Sequence, residues 1–218
     1  MHVFGRGDTE TMKLWKRKLL CILILFGLFI LLSAINIVSL PQGGSVTYLS
    51  LLFLWLVTYF FGFKYGIVCS VLFGFARLGV NCLTDESINW QLMAIILEYP
   101  LGCGIFCLGG LLKEPGAERD SNLVRGAKAE PFKLRMGYVI GILGQFVLYV
   151  VSAVCFYPPD REGFLNNLLF CILYDGSYLA IEGVITVLAL CIPPVYESIY
   201  YLKYVVTHED EDETMLYF

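Results

Sequence analysis

The stretch QLMAIILEYPLGCGIFCLGGLL, residues 91–112, decides how this chain folds. It is long enough to cross a membrane, since a helix needs about 20 apolar residues to span the hydrocarbon core. Glu98 lies near its middle. An ionised side chain at that depth costs several kcal/mol, about 2.5–3.5 on insertion scales, so it must face protein, water or a ligand. The stretch therefore predicts a membrane-spanning helix with a candidate binding residue.

Backbone features of the same stretch predict close packing. Pro100 follows Glu98 by two residues, and because proline has no N–H it frees the carbonyl one turn earlier. Several glycines allow neighbouring helices to approach closely: Gly102, Gly104, Gly109 and Gly110. We expect this helix to be surrounded by other helices.

The rest of the chain supplies those helices. Its 218 residues are 58% hydrophobic and 16% charged, with a mean hydropathy of +0.72, which is typical of an integral membrane protein. We predict an all-α bundle of six transmembrane helices between a basic leader (1–18) and an acidic tail (193–218). The apolar segments lie at about 19–40, 46–63, 65–83, 91–112, 134–157 and 166–192.

Basic residues predict the orientation of the bundle, because short loops rich in Lys and Arg remain cytoplasmic. The loops at 41–45, 84–90 and 158–165 contain a single basic residue, Arg161. Basic residues cluster instead at the opposite ends of the spans: Lys13, Lys16, Arg17, Lys18, Lys64, Lys113, Arg119, Arg125, Lys128, Lys133 and Arg135. Both termini are therefore predicted to be cytoplasmic, and the acidic run at 208–213 is interpreted as a solvated tail.

The residue inventory argues against an enzyme. No phosphate-binding loop, G-x-S-x-G or H-E-x-x-H motif occurs, and the two histidines, His2 and His208, lie outside the spans. Cys103 and Cys107 are one helical turn apart, but no histidine cluster or second cysteine pair completes a zinc pattern. We predict no metal, no cofactor and no nucleic-acid partner.

Polar residues recur at helical spacing on the last two spans. Gln145, Tyr149 and Ser152 share a face of the fifth span, and Asp175, Tyr178 and Glu182 share a face of the sixth. With Glu98 they predict a polar interior in the outer half of the bundle. Carboxylates walled by aromatic rings suit a cationic, partly aromatic solute. The alternative is that the acids only pair with Arg77 or with helix neighbours, and Arg77 itself either enters the bundle or snorkels to the interface.

The glycine-rich segment at 41–47 precedes the second span. It is either a tight connection, made by residues that tolerate positive φ, or an ordered flap over an outward-facing pocket. The sequence leaves both interpretations open.

Four segments resemble a known family: GGSVTYLS (43–50), FGFKYG (61–66), LEYPLGCGIFCLGGLL (97–112) and YLAIEGVIT (178–186). They are similar to signature segments of the thiamine-specific S-components of energy-coupling factor transporters, the ThiT or YuaJ family. The resemblance extends from about residue 20 to about 192. It implies a plasma-membrane protein that captures thiamine at the outer face. It also implies partners, namely a transmembrane coupling subunit and two ATP-binding subunits, which would explain the missing phosphate-binding loop.

The resemblance also implies residue roles. Glu98 matches the family's substrate-facing carboxylate, Tyr99 its neighbour, and Glu182 an acid near the end of the sixth span. The loop that closes over the pocket corresponds to Gly43, Gly44, Ser45, Val46 and Thr47. The full set of predicted substrate-binding residues is Trp55, Glu98, Tyr99, Gln145, Tyr149, Tyr174, Asp175, Tyr178 and Glu182.

The chain departs from the family pattern at several positions. Leu148 and Tyr149 stand where the family has Trp-His, and Tyr174-Asp175 replaces a Tyr-Asn pair. Gly27, Ser33 and Ala34 replace the alanine stripe on which the coupling subunit docks. Thiamine is the leading predicted ligand. The alternatives are a thiamine precursor or another cationic heterocycle, or a structural or regulatory membrane protein that transports nothing.

Overall fold

A computed structural model describes residues 4–39, 45–47, 49–84, 92–112, 131–156 and 163–207, and these residues are predominantly helical. Helix α1 spans Phe4–Ser33. Two short strands follow it, β1 (Asn36–Ser39) and β2 (Ser45–Thr47), which pair antiparallel with Val38 opposite Val46. The predicted first span, 19–40, was therefore too long, because the helix ends at Ser33 and the chain continues as a ribbon.

The second and third predicted spans form a hairpin. The helical segment Ser50–Thr84 is interrupted at Gly62, whose backbone has φ 81° and ψ 178°. We name its arms α2 (50–61) and α3 (63–84). Thr58 and Ser70, one on each arm, both hydrogen-bond the Cys107 sulfur, at 3.7 Å and 3.5 Å, so the arms lie side by side. The predicted spans, 46–63 and 65–83, placed the connection at residue 64, whereas the interruption lies at Gly62, because glycine tolerates the positive φ found there.

The stretch that opened the sequence analysis forms helix α4, Leu92–Leu111. It is irregular: a π turn at Leu97–Leu101 contains Pro100, and a 3₁₀ segment spans Ile105–Leu111. Proline removes the N–H that would bond one turn back, and single π turns are frequent at functional sites. The π turn widens the helix where Glu98 and Tyr99 lie.

Helices α5 (Phe132–Phe156) and α6 (Phe164–Cys191) follow the predicted fifth and sixth spans within two residues at each end. Four helical segments are apolar and long enough to cross a membrane, and the first of them contains both α2 and α3. With α1, the described helices fit the predicted count of six. The cytoplasmic placement of both termini stays a prediction.

A seventh helix, α7 (Pro193–Thr207), lies in the segment predicted to be the acidic tail, 193–218. It folds back onto the bundle, where Ile199 and Val206 are buried. The Lys203 ammonium lies 4.1 Å from the centroid of the Tyr59 ring on α2. Helix α7 therefore covers the end of the bundle where α2 meets α3.

Helix α1 contributes one face to the core and leaves the other exposed. Cys21, Leu25 and Phe29 recur every four residues and are buried. The Phe29 ring stacks on Phe73 of α3, with centroids 5.1 Å apart. The opposite face, including Leu20 and other apolar side chains, is exposed, as expected for a helix in contact with lipid.

A glycine on α3 sets the distance between α3 and the π turn. An alanine Cβ at Gly74 would lie 2.6 Å from the Tyr99 carbonyl carbon and 2.7 Å from the Pro100 Cα, closer than real Cβ contacts allow. We expect Gly74→Ala to destabilise the protein by about 1–3 kcal/mol, because the clash is with backbone and can be relieved only by moving a helix.

The matched control is Gly79→Ala on the same helix, where nothing among the described residues lies within 4 Å of the new Cβ. It should be neutral or stabilise by about 0.5–1 kcal/mol, since alanine is the better helix former. Thermal unfolding in detergent measures both variants. Equal melting temperatures would show that α3 and the π turn are not in tight contact.

Candidate functional site

The polar face of α6 lies inside the bundle. Asp175, Tyr178 and Glu182 are 6%, 6% and 3% exposed, as their helical spacing predicted. The Tyr178 hydroxyl donates to Asp175 Oδ1 at 3.1 Å, and the Tyr174 ring meets the Tyr178 ring edge-on, with centroids 6.3 Å apart. This face of α6 therefore presents carboxylates beside aromatic rings.

Glu182 holds the segment that leads into α2. The hydroxyls of Thr47 and Ser50 donate to Glu182 Oε1 at 2.9 Å and 3.4 Å, and the backbone N–H groups of Thr47 and Leu51 also bond the carboxylate. The chain enters α2 through Leu49, a non-glycine residue with φ 58°. A carboxylate at a helix N-terminus pairs with unsatisfied N–H groups and favours the helix dipole. Glu182 thus acts as an N-terminal cap supplied by a distant helix.

Tyr149 of α5 is the centre of a second group. Its hydroxyl oxygen accepts from Gln145 Nε2 at 2.8 Å and from Arg77 Nη1 at 3.3 Å. Its ring packs on Gly102, where an added Cβ would lie 3.0 Å from Cε1, and lies 6.5 Å from the Tyr178 ring. Tyr149 therefore connects α3, α4, α5 and α6.

The π turn of α4 directs its two polar side chains to different neighbours. Ser152 of α5 donates to Glu98 Oε1 at 2.7 Å, and Asn81 of α3 donates to the Tyr99 hydroxyl at 3.0 Å. Glu98 is only half-buried. The carboxylate that the sequence singled out is therefore bonded to α5 and lies on the side of α4 that faces Tyr149.

Two buried acceptor atoms of the site have no hydrogen-bond partner among the described residues: Gln145 Oε1 and Asp175 Oδ2. Leaving a buried polar atom unpaired costs about 1–3 kcal/mol, more when it is charged. Native proteins give nearly all such atoms a hydrogen-bond partner. Two acceptors without one, beside aromatic rings, are therefore expected where a ligand supplies the donors.

A protein-family model described as "Thiamine transporter protein (Thia_YuaJ)" matches residues 19–201. The match covers helices α2 to α6, the second half of α1 and more than half of α7. The chain belongs to this thiamine transporter family. Comparisons with curated proteins and with solved structures returned no match.

The family membership confirms the resemblance drawn from the motifs. It makes this chain a multi-pass membrane protein with a role in thiamine transport, and it fits the expectation that the chain is no enzyme. Within the described part of this transporter, no cluster of three or more His, Cys, Asp or Glu side chains is arranged to hold a metal ion.

Most of the predicted site residues of this thiamine transporter converge. Gln145, Tyr149, Tyr174, Asp175 and Tyr178 form a connected group of hydrogen bonds and ring contacts. Glu98 accepts from Ser152 and lies within electrostatic range of Tyr149. The Tyr99 hydroxyl instead bonds Asn81 of α3, and Glu182 bonds Thr47 at the point where β2 leads into α2.

Trp55 is placed elsewhere. Its indole N–H donates to the Leu134 carbonyl at 2.9 Å, and its ring packs so closely on Gly137 that a Cβ there would overlap it. It is fully buried between α2 and the beginning of α5, and no described contact joins it to the polar group. An aromatic residue on a span is equally compatible with core packing, which the sequence could not distinguish from ligand contact.

The predicted lid loop is partly described. Gly43 and Gly44 lie outside the described residues, Ser45 and Val46 form β2, and Thr47 contacts Glu182. Ser50 and Asn81 were not among the predicted site residues. Both are polar residues on spans, and that property could have identified them. Arg77, left open, enters the bundle and bonds Tyr149.

Proposed function

We propose that this protein is the substrate-binding S-component of an energy-coupling-factor importer in the plasma membrane. It captures thiamine at the outer face and delivers it through a transmembrane coupling subunit and two ATP-binding subunits. Support comes from the thiamine transporter family match across residues 19–201. The absence of a phosphate-binding loop from the sequence fits a subunit that depends on separate ATPases.

The observation that carries the ligand assignment is the buried acid beside the tyrosines. Asp175 is 6% exposed, its Oδ2 has no partner among the described residues, and the rings of Tyr174 and Tyr178 lie beside it. A buried carboxylate is stabilised by a cation, and aromatic faces add attraction for a cationic ring. Thiamine offers both a positive thiazolium and an aromatic pyrimidine. Glu98, Gln145 and Tyr149 complete the proposed pocket.

The ribbon and the start of α2 are proposed to close over this pocket. Thr47 and Ser50 bond Glu182, which lies seven residues after Asp175 on the same face of α6. Because the closing segment and the ligand share one helix face, binding and closure are coupled through α6. This favours the ordered flap over the simple tight connection.

Purified protein, washed free of endogenous ligand, tests the proposal by calorimetric titration with thiamine. We expect saturable binding with a dissociation constant below about 1 μM, corresponding to a free energy beyond about −8 kcal/mol. In proteoliposomes, uptake of labelled thiamine should require the coupling subunit, the ATPases and ATP together. Folded protein that binds no thiamine, or that imports it alone without ATP, would contradict the proposal.

A further inference from the structure

Helix α7 is held against the bundle by one of its faces. Ile199 and Val206, seven residues apart, are both buried. The Tyr200 ring meets the Tyr59 ring of α2 edge-on, with centroids 6.3 Å apart, and the Lys203 ammonium lies over the same Tyr59 ring. These contacts fix which side of α7 faces the bundle and which side points away from it.

The outer face of α7 carries apolar and aromatic side chains. Four of them are at least 36% exposed: Tyr201, Leu202, Tyr204 and Val205. A helix whose outer face is in water ordinarily carries charged residues there, whereas the one exposed charged side chain of α7 is Glu197. Clustered apolar side chains on a surface mark contact with a membrane or with another protein.

Two hydroxyls of α7 are bonded within the helix. The Ser198 hydroxyl donates to the Pro194 carbonyl at 2.6 Å. The Thr207 hydroxyl donates to the Lys203 carbonyl at 2.7 Å. Because these polar groups already have partners, moving the outer face of α7 out of water costs little hydration.

The surface that leads to α7 indicates what covers its outer face. In the second half of α6, exposed apolar residues three, four and seven positions apart form one stripe, which runs to the residue after the helix: Ile181, Val184, Ile185, Leu188 and Ile192. Such a stripe on a membrane-spanning helix faces lipid. Ile192 directly precedes Pro193, where α7 begins. The lipid-facing surface of α6 therefore continues into α7.

The beginning of the apolar part of α1 lies at the same end of the bundle, and α7 packs against α1. Trp15 of α1 is 62% exposed and precedes the exposed cations Lys16 and Arg17. Tryptophan and tyrosine are enriched where a membrane meets water, and basic residues beside a span contact lipid headgroups. Trp15, together with Tyr201 and Tyr204 of α7, supplies the residue types expected at headgroup level.

We propose that α7 is an interfacial helix whose outer face lies in the lipid headgroup layer. A helix of this kind buries its apolar face about 5–10 Å into the boundary between headgroups and acyl chains. The bundle then covers one face of α7 and lipid covers the other. The five acids at 209–213, which follow the helix in the sequence, limit the inserted segment, because charged side chains are costly in a membrane. The proposal concerns the membrane surface and is independent of thiamine binding.

The fluorescence of one added tryptophan tests the proposal in phosphatidylcholine nanodiscs that contain this chain alone. In a background with Trp15→Phe and Trp90→Phe, the remaining Trp55 is fully buried and gives a constant signal. Tyr201→Trp then reports on the outer face of α7. We expect phosphatidylcholine brominated near the glycerol end of its acyl chains to quench at least about half of the added emission, because the ring lies at the headgroup boundary. Iodide in the water should quench little of it.

The matched control is Ile181→Trp, in the lipid-facing stripe of α6, about ten residues from the end of the span. Bromines deep in the acyl chains should quench it more than shallow bromines do, which is the reverse of the order expected for Tyr201→Trp. Tyr204→Trp, on the same face of α7, is an independent second reporter and should behave as Tyr201→Trp does.

Three results would overturn the inference. Quenching of Tyr201→Trp and Tyr204→Trp by iodide and not by brominated lipid would show that the outer face of α7 is in water, available to a protein partner. Quenching by neither would show that a second copy of the chain covers this face. Stronger quenching by deep bromines than by shallow ones would show that α7 inserts into the hydrocarbon core and is not interfacial.

Discussion

Glu98→Gln is expected to weaken thiamine binding by about 10- to 100-fold, since hydrogen bonds to a charged group contribute about 1.5–3 kcal/mol. The amide keeps the size of the side chain and an oxygen that can accept from Ser152, which bonds Glu98 Oε1 at 2.7 Å. The change therefore removes the negative charge with little disturbance of α4. Calorimetry with thiamine measures the effect, and thermal unfolding in the absence of ligand measures stability.

Two further variants test whether the loss of affinity is specific to carboxylates of the proposed pocket. Glu197→Gln neutralises an exposed carboxylate on α7 and should leave the affinity for thiamine unchanged. Asp175→Asn should also weaken binding, because a neutral amide replaces the carboxylate whose Oδ2 has no partner among the described residues. If Glu98→Gln lowers the melting temperature and has no effect on affinity, the acid is structural, as expected for a membrane protein that transports nothing.

Glu182→Ala is expected to release the start of α2 from α6. Thr47, Ser50 and the Leu51 N–H would lose their shared acceptor, and each buried donor left unpaired costs about 1–3 kcal/mol. We expect a lower melting temperature and thiamine dissociation faster by about tenfold or more, because the closing segment is no longer held. Stopped-flow dissociation measures the rate, and hydrogen exchange at the Leu51 amide reports the contact directly.

Glu182→Gln is the conservative companion, since its amide oxygen still accepts from Thr47 and Ser50; its effects should be much smaller. The control is Ser177→Ala, at an exposed position of the same helix where the hydroxyl donates to the Tyr174 carbonyl. Unchanged exchange and dissociation in Glu182→Ala would show that the segment at 47–51 is held by something other than this carboxylate.

The sequence by itself determined the features that depend on local pattern. Span lengths follow from runs of apolar residues, so α4, α5 and α6 begin and end within a few residues of the predicted positions. The buried face of α6 follows from the 3.6-residue period, and the family follows from short motifs that the comparison confirmed.

The sequence also indicated the irregularity of α4, although not its form. Pro100 predicted that one backbone hydrogen bond of the helix would be missing, and the structure has a π turn at this position. The predicted spans placed the chain reversal at residue 64, near the correct position, but the residue that makes it is Gly62. A glycine beside aromatic residues fits either a helix or a turn, and the packing of α2 against α3 selects the turn.

Only the tertiary structure decided which polar groups meet. Glu182 bonds Thr47, 135 residues earlier, and Arg77 bonds Tyr149, 72 residues later. The direction of Arg77 into the bundle, the core position of Trp55 and the docking of α7 were likewise open from the sequence. The physical reason is that hydrophobicity and helical period act within one segment, whereas the partner of a buried polar group depends on which segments pack together.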